Sequence, residues 1–171
     1  MKRSIFIMGI LSALLVLAGC MASAEERLAA GLSETRKAFE EKPPETNETA
    51  GQIELYLPGG YDIEEPSDDN NVIITRGSDS YVLFINPNEA PDSKFFYELQ
   101  KANDEQVWIA DETFEQNGRS GFVTLREIAE DRIEVVVSAG GVKMTTISEE
   151  SDVPGNMEWM MKTVRSINTE N

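Results

Sequence analysis

The chain has 171 residues with one cysteine and no histidine, and its 31 acidic residues outnumber 15 basic ones, giving a formal net charge of −16. Without histidine, no histidine-dependent triad or histidine metal site can form. A surface this acidic repels nucleic acid, and a single cysteine allows no disulfide within the chain. The composition therefore indicates a domain that is stabilised by its apolar core, and no cofactor is indicated.

The first 20 residues have the order of a secretion signal. Lys2 and Arg3 precede an apolar run over residues 5–17, and small residues then lead to Cys20. As a helix this run of ~13 residues rises only about 20 Å, whereas the hydrocarbon core of a bilayer is roughly 30 Å thick. The pattern therefore favours a cleaved signal peptide over a stable membrane span.

The end of this segment, Leu17-Ala18-Gly19-Cys20, resembles the lipobox of bacterial lipoproteins. The resemblance implies that residues 1–19 are the signal peptide and that the Cys20 thiol receives a diacylglyceryl group and becomes the new N-terminus. Two acyl chains anchor a protein stably, whereas one does so only marginally. We therefore expect a protein on the extracytoplasmic face of the cell membrane with the bilayer as its first partner. The alternative is an incidental thiol in an ordinary signal or anchor helix.

Residues 20–51 are predicted to hold the lipidated terminus, one helix and a Pro-rich linker. Ser23 and Glu26 have capping-box spacing, and apolar residues recur near helical spacing: Leu28, Leu32 and Phe39. Pro43 and Pro44 end the helix, and residues 45–51 read as a flexible connector. The helix could be a stalk, or its leucines could pack on the domain, and the sequence leaves both arrangements open.

From residue 52 to 168 the pattern is that of a single domain, with residues 169–171 as a tail. Short β-rich runs occupy 53–57, 61–63, 72–76 and 81–85, and the last two flank a Gly77 turn and read as a hairpin. Asp92 or Ser93 can cap a helix through 95–102. Four further runs, 107–115, 121–128, 133–138 and 142–148, are separated by tight turns and predict an antiparallel meander. A final helix follows Pro154, with one apolar face: Met157, Met160, Met161, Val164 and Ile167.

Sequential strands joined by short turns predict an α+β fold, a mainly antiparallel sheet with helices packed on it. This element order resembles the sandwich of the PsbP-like superfamily. The lipobox, the Pro-rich connector and the stretch "YVLFINPNE" (81–89) are also similar to uncharacterised lipoproteins of spore-forming Gram-positive bacteria. Neither resemblance implies catalytic residues.

Carboxylate and amide side chains are densest at Asp68, Asp69, Asn70 and Asn71, after Glu64 and Glu65. Hard cations such as Ca²⁺ prefer such oxygen ligands, but the spacing does not fit an EF-hand loop. Asp and Asn also favour turns, and we favour a solvated turn over a metal site. Trp108 and Phe114 have the same strand parity and are expected to fill one sheet face. Trp159 lies off the apolar row of the last helix, either packed at an edge or on a contact surface.

The sequence therefore predicts a membrane-anchored extracytoplasmic lipoprotein that is not an enzyme. It would serve as an accessory or interaction module with a protein or envelope component as partner. A lipoprotein that binds a small ligand or a divalent cation is the first alternative. A carboxylate-dependent hydrolase of the envelope is the second, because among 31 acidic residues some pair will lie at a suitable separation by chance.

Overall fold

The computed structural model describes residues 22–65, 68, 70–102 and 106–169. The predicted signal peptide and the lipid-attachment residue Cys20 lie outside the described residues. The fold is α+β, with a large antiparallel sheet of seven strands, a small second sheet and three helices packed against them. The predicted fold class is confirmed, and the PsbP-like resemblance stays a prediction.

Helix α1 (Ala24–Glu40) begins with the predicted capping box. The Glu26 backbone N–H donates to Ser23 Oγ at 3.1 Å, and the Ser23 backbone N–H donates to Glu26 Oε2 at 2.8 Å. These two bonds satisfy amide groups that a helix start leaves without an intrahelical partner. The helix ends ahead of the two prolines, as the sequence predicts.

The large sheet has the strand order β3-β4-β5-β9-β8-β7-β6, and every neighbouring pair is antiparallel. Its strands, in chain order, are β3 (Asp62–Glu64), β4 (Asn71–Arg76), β5 (Asp79–Ile85), β6 (Ala110–Gln116), β7 (Arg119–Ala129), β8 (Arg132–Ala139) and β9 (Val142–Glu149). The predicted hairpin is β4–β5 and the predicted meander is β6 to β9. Asn117 and Gly118 form the turn between β6 and β7. Their φ angles of 51° and 71° are the positive values that a tight hairpin requires.

The connector expected to lack regular structure contains a strand, and that expectation is wrong. β1 (Glu48–Ala50) pairs with β2 (Ile53–Leu55) as the small sheet. Asn47 extends the pairing, because its side chain accepts from the Leu57 N–H at 2.8 Å and donates to the Leu57 carbonyl at 2.9 Å. Only the side chain of Ala50 is buried in β1, so the strand depends on backbone bonds that an apolar pattern does not reveal.

Helices α1 and α3 (Val153–Ser166) pack on one face of the large sheet and enclose the main core. Of the two arrangements that the sequence left open for α1, the structure has the helix packed on the domain. Gly31 permits this close approach, since a Cβ at Gly31 would lie 2.7 Å from Pro154 Cβ. The Arg165 side chain also donates through Nε to the Phe39 carbonyl at 3.0 Å.

Of the described helices, the short α2 (Phe95–Lys101) is the one that lies on the opposite face of the sheet. Phe96 from this helix packs on Phe122 and Val136, and Phe84 lies at the edge of the cluster. The prediction that Trp108 and Phe114 fill one face is right for Phe114, which is buried against Phe39. It is wrong for Trp108, which lies ahead of β6 and is half-buried beneath the Lys101 ammonium.

Candidate functional site

The part of the sheet that α2 leaves open carries three exposed apolar side chains on neighbouring strands. Ile73 on β4, Val82 on β5 and Ile147 on β9 are 39%, 45% and 45% exposed. Ile73 lies directly opposite Val82, and Val82 lies opposite Thr145, two residues before Ile147 on the same strand. Because strand residues two apart share a face, the three side chains form one continuous surface. We call Ile73, Val82 and Ile147 the apolar strip.

Strand alternation fixes the direction of these side chains. The residues beside them in sequence, Val72, Ile74, Tyr81 and Leu83, point into the main core and are at most 1% exposed. Successive strand side chains point to opposite faces, so Ile73 and Val82 must face away from that core. A sheet with one solvated face normally alternates apolar and polar residues. The strip therefore departs from this alternation, because it places apolar side chains on a part of the sheet that no described helix covers.

Charged groups border the strip. Glu64 on β3 pairs in register with Ile73, and Glu149 follows Ile147 by two residues on the same face. Basic groups on the neighbouring strands form pairs on this face: Arg126 donates to Glu134 at 2.9 Å, and Arg132 lies 4.0 Å from Glu149. The strip is thus an apolar centre with carboxylates at both ends.

Lys143 lies farther along this face, where β9 approaches helix α2. Its ammonium lies 5.3 Å from the centre of the Phe96 ring, and burial lowers the pKa of Lys143 below its ordinary value. The charge of Lys143 is thus held against the aromatic cluster under α2. Lys143 pairs in register with Phe84, which lies two residues after Val82 on the same face of β5, so the cluster adjoins the apolar strip.

The turn predicted as a weak cation candidate is held by its own hydrogen bonds. Asp68 Oδ1 accepts from the backbone N–H groups of Asn70 at 2.8 Å and Asn71 at 2.6 Å, and the Asn71 side chain also donates to this carboxylate. The Asn70 backbone bond is the main cause that lowers the pKa of Asp68. Asp69 lies outside the described residues. Among the residues that are described, no group of three or more acidic or cysteine side chains converges as metal ligands would.

Trp159, whose position the sequence left open, is packed in the core at 8% exposure. Its ring centre lies 4.4 Å from that of Tyr61 and 4.7 Å from that of Tyr81. Asn156 Oδ1 accepts from Trp159 Nε1 and from the Tyr81 hydroxyl, both at 3.0 Å. Burial is the main cause that raises the pKa of Tyr81. Trp159 is thus a core residue at an edge of the domain, where the partly exposed Tyr61 lies beside it and both line an open pocket.

Sequence reasoning missed the apolar strip, although a signal was present. The runs VII (72–74) and YVLFI (81–85) are apolar at consecutive positions rather than alternate ones. Consecutive apolar residues in a strand indicate that both faces of the sheet are apolar at that point.

The sequence matches no protein-family model and no curated protein. Within the described ranges, none of the helices combines the length and the apolar character that crossing a bilayer requires. The apolar strip therefore stands as the candidate site on its own geometry.

Proposed function

We propose that this protein is a lipid-anchored, extracytoplasmic interaction module without catalytic activity, which binds a protein partner through the apolar strip. The partner would present an apolar centre flanked by lysine or arginine. The observation that carries the proposal is the register of Ile73 against Val82, with Ile147 beside them, on an uncovered sheet face.

Two physical arguments support a protein partner of this chemistry. Adjacent apolar side chains gain free energy when a partner removes them from water, and a few central residues commonly supply most of the affinity of an interface. The carboxylates of Glu64 and Glu149 border the strip, and the whole chain has a formal charge of −16. Such a surface steers basic partners toward it and disfavours acidic ones.

The anchor in this proposal is Cys20. A thioether bond would form between Cys20 Sγ and a glyceryl carbon of a membrane phospholipid, whose phosphorylated headgroup would leave together with the thiol proton. Lipid at Cys20 would hold the domain at the membrane although its surface charge is repelled by anionic headgroups. The lipobox resemblance of residues 17–20 supports this attachment. Mass spectrometry of the mature N-terminus and membrane fractionation of the Cys20→Ser variant test it directly.

Crosslinking in intact cells tests the interface. A photoreactive amino acid placed at Thr145, next to Val82 in register, is expected to capture one identifiable protein. Val82→Asp should abolish this capture, because it puts a charge at the centre of the strip. Val107→Asp is the matched control: Val107 is 84% exposed and lies ahead of the strand at the opposite edge of the sheet.

The captured protein must also fit the proposed chemistry. Its crosslinked peptide should hold apolar residues beside lysine or arginine, and binding of the purified pair should weaken as salt rises. Equal capture by wild type and Val82→Asp would reject the apolar strip as the interface. Capture that both aspartate variants lose equally would show that the effect is not specific to the strip.

A further inference from the structure

An apolar cavity of about 270 Å³ opens at the end of the domain where helix α1 begins. Its walls are the buried side chains of Leu125, Ile133 and Val153, together with Leu28 of α1 and the 44% exposed Ile109. Charged residues also line it: Glu25, Arg27, Glu127, Asp131, Arg132 and Glu150. The cavity thus combines an apolar interior with charged surroundings.

The lining decides which occupants are suitable. A buried water needs two to four polar partners, and the aliphatic side chains of the interior supply none, so water is held poorly against that part of the lining. The volume equals roughly nine water molecules at ~30 Å³ each, which is room for part of one hydrocarbon chain and not for two. An alkyl chain with a polar group at one end matches both the apolar walls and the charged residues.

The position of the cavity identifies the source of such a chain. Ala24, the first residue of α1, lines the cavity and lies four residues after Cys20. Four residues of extended chain span at most about 14 Å. A fatty acyl group carried by Cys20 is therefore attached within reach of the cavity, whatever path residues 20–23 follow.

We propose that this cavity holds a fatty acyl chain of the lipid attached to Cys20. The inference rests on the proposed lipidation and adds a second site, on the other side of the sheet from the apolar strip. A chain held there ties the end of the domain that bears α1 to the anchor. Because one acyl chain alone anchors only marginally, a chain withdrawn from the bilayer also weakens the anchor.

A photoreactive lipid tests the inference in the full-length protein. Cells are fed a fatty acid that carries a diazirine in its chain, and vesicles with the lipidated protein are irradiated. Digestion followed by mass spectrometry then locates the crosslinks. The expected result is a crosslink from the lipid on Cys20 to peptides of the same chain that contain Leu28, Leu125 or Ile133.

Two tryptophan variants on helix α1 make the result specific. Ala24→Trp should fill the cavity and abolish the intrachain crosslink. Ala29→Trp, at an exposed position of the same helix that does not line the cavity, should leave the crosslink intact. Ile109→Trp fills the cavity from a different segment of the chain and should reproduce the loss, so that a folding defect in one variant does not decide the outcome.

Each outcome has a distinct meaning. Crosslinks to membrane lipids only, or an intrachain crosslink that persists in both Ala24→Trp and Ile109→Trp, would overturn the cavity proposal and leave the lipidation standing. A mature protein with no label on Cys20 would instead reject the anchor of the proposed function, and this inference with it. An intrachain crosslink that only the two cavity-filling variants remove supports the inference.

Discussion

Replacing Phe39 by alanine tests whether helix α1 is an integral part of the domain. Phe39 is 1% exposed, and its ring centre lies 5.4 Å from that of Phe114. A Cβ built on Gly121 would lie 2.7 Å from the Phe39 ring, so the ring packs directly on the backbone of β7. The Arg165 guanidinium lies 5.4 Å from the centre of the Phe39 ring.

The structure sets the size of the effect. Removing a buried phenylalanine side chain costs about 3–5 kcal/mol, and the cost is highest where the surroundings cannot collapse into the void. Here one wall is the sheet backbone at Gly121, which is held by strand pairing on both sides. We therefore expect Phe39→Ala to lower the free energy of unfolding by about 4 kcal/mol. For a domain of this size, the melting temperature should fall by on the order of 10 °C.

Thermal and urea unfolding followed by circular dichroism measure this change. Phe95→Ala is the matched control, because it removes the same atoms from a side chain that is 44% exposed, and it should cost about 1 kcal/mol or less. A loss below about 1 kcal/mol for Phe39→Ala would refute the packing of α1 on the sheet.

Two further predictions concern the helix contact and the acidic turn. Gly31→Leu should destabilise the domain, because a Cβ there would lie 2.8 Å from the backbone Cα of Pro154. Overpacking costs about 1–3 kcal/mol of stability, which outweighs the ~1 kcal/mol gained from the higher helix propensity. Ala30→Leu, at an exposed position of the same helix, should be near neutral in urea unfolding, and equal effects of the two would contradict the close contact. Asp68→Asn tests pH dependence. Hydrogen bonds from Asn70 and Asn71 lower the folded pKa of Asp68 below 3.8, so its contribution to stability is present above the unfolded pKa and is lost as pH falls through the folded pKa. The variant should therefore lose less stability than wild type between pH 5 and pH 2. Melting temperatures that fall equally with pH in the two proteins would reject this role of Asp68.

Local features were predictable because each depends on residues close in sequence. The capping box at Ser23 and Glu26 satisfies its own helix start, and the Asn117-Gly118 turn selects a tight hairpin through its backbone angles. The same holds for the meander from β6 to β9, in which each strand pairs with the next. The Asp68 turn belongs to this class, since its hydrogen bonds join residues at most three apart.

The candidate site was predictable only in part. Apolar residues at consecutive positions of β4 and β5 indicate two apolar faces, but they do not say which face a helix covers. Helix α2 is only seven residues long, and it reaches Phe84 and Phe122 without covering Val82. The exposure of the apolar strip therefore depends on where a helix distant in sequence comes to lie. The cavity beside α1 depends likewise on four separate segments that meet there.

The sequence by itself determined the signal-like N-terminus, the exclusion of histidine chemistry, the helices and most strands, and the antiparallel class. The tertiary structure decided the pairing of β5 with β9, the packing of α1 on α3, the strand in the polar connector and both candidate sites. The physical reason is the range of the interactions. Caps and turns are set by neighbouring residues, whereas pairing across some 60 residues depends on how all the apolar faces are buried together.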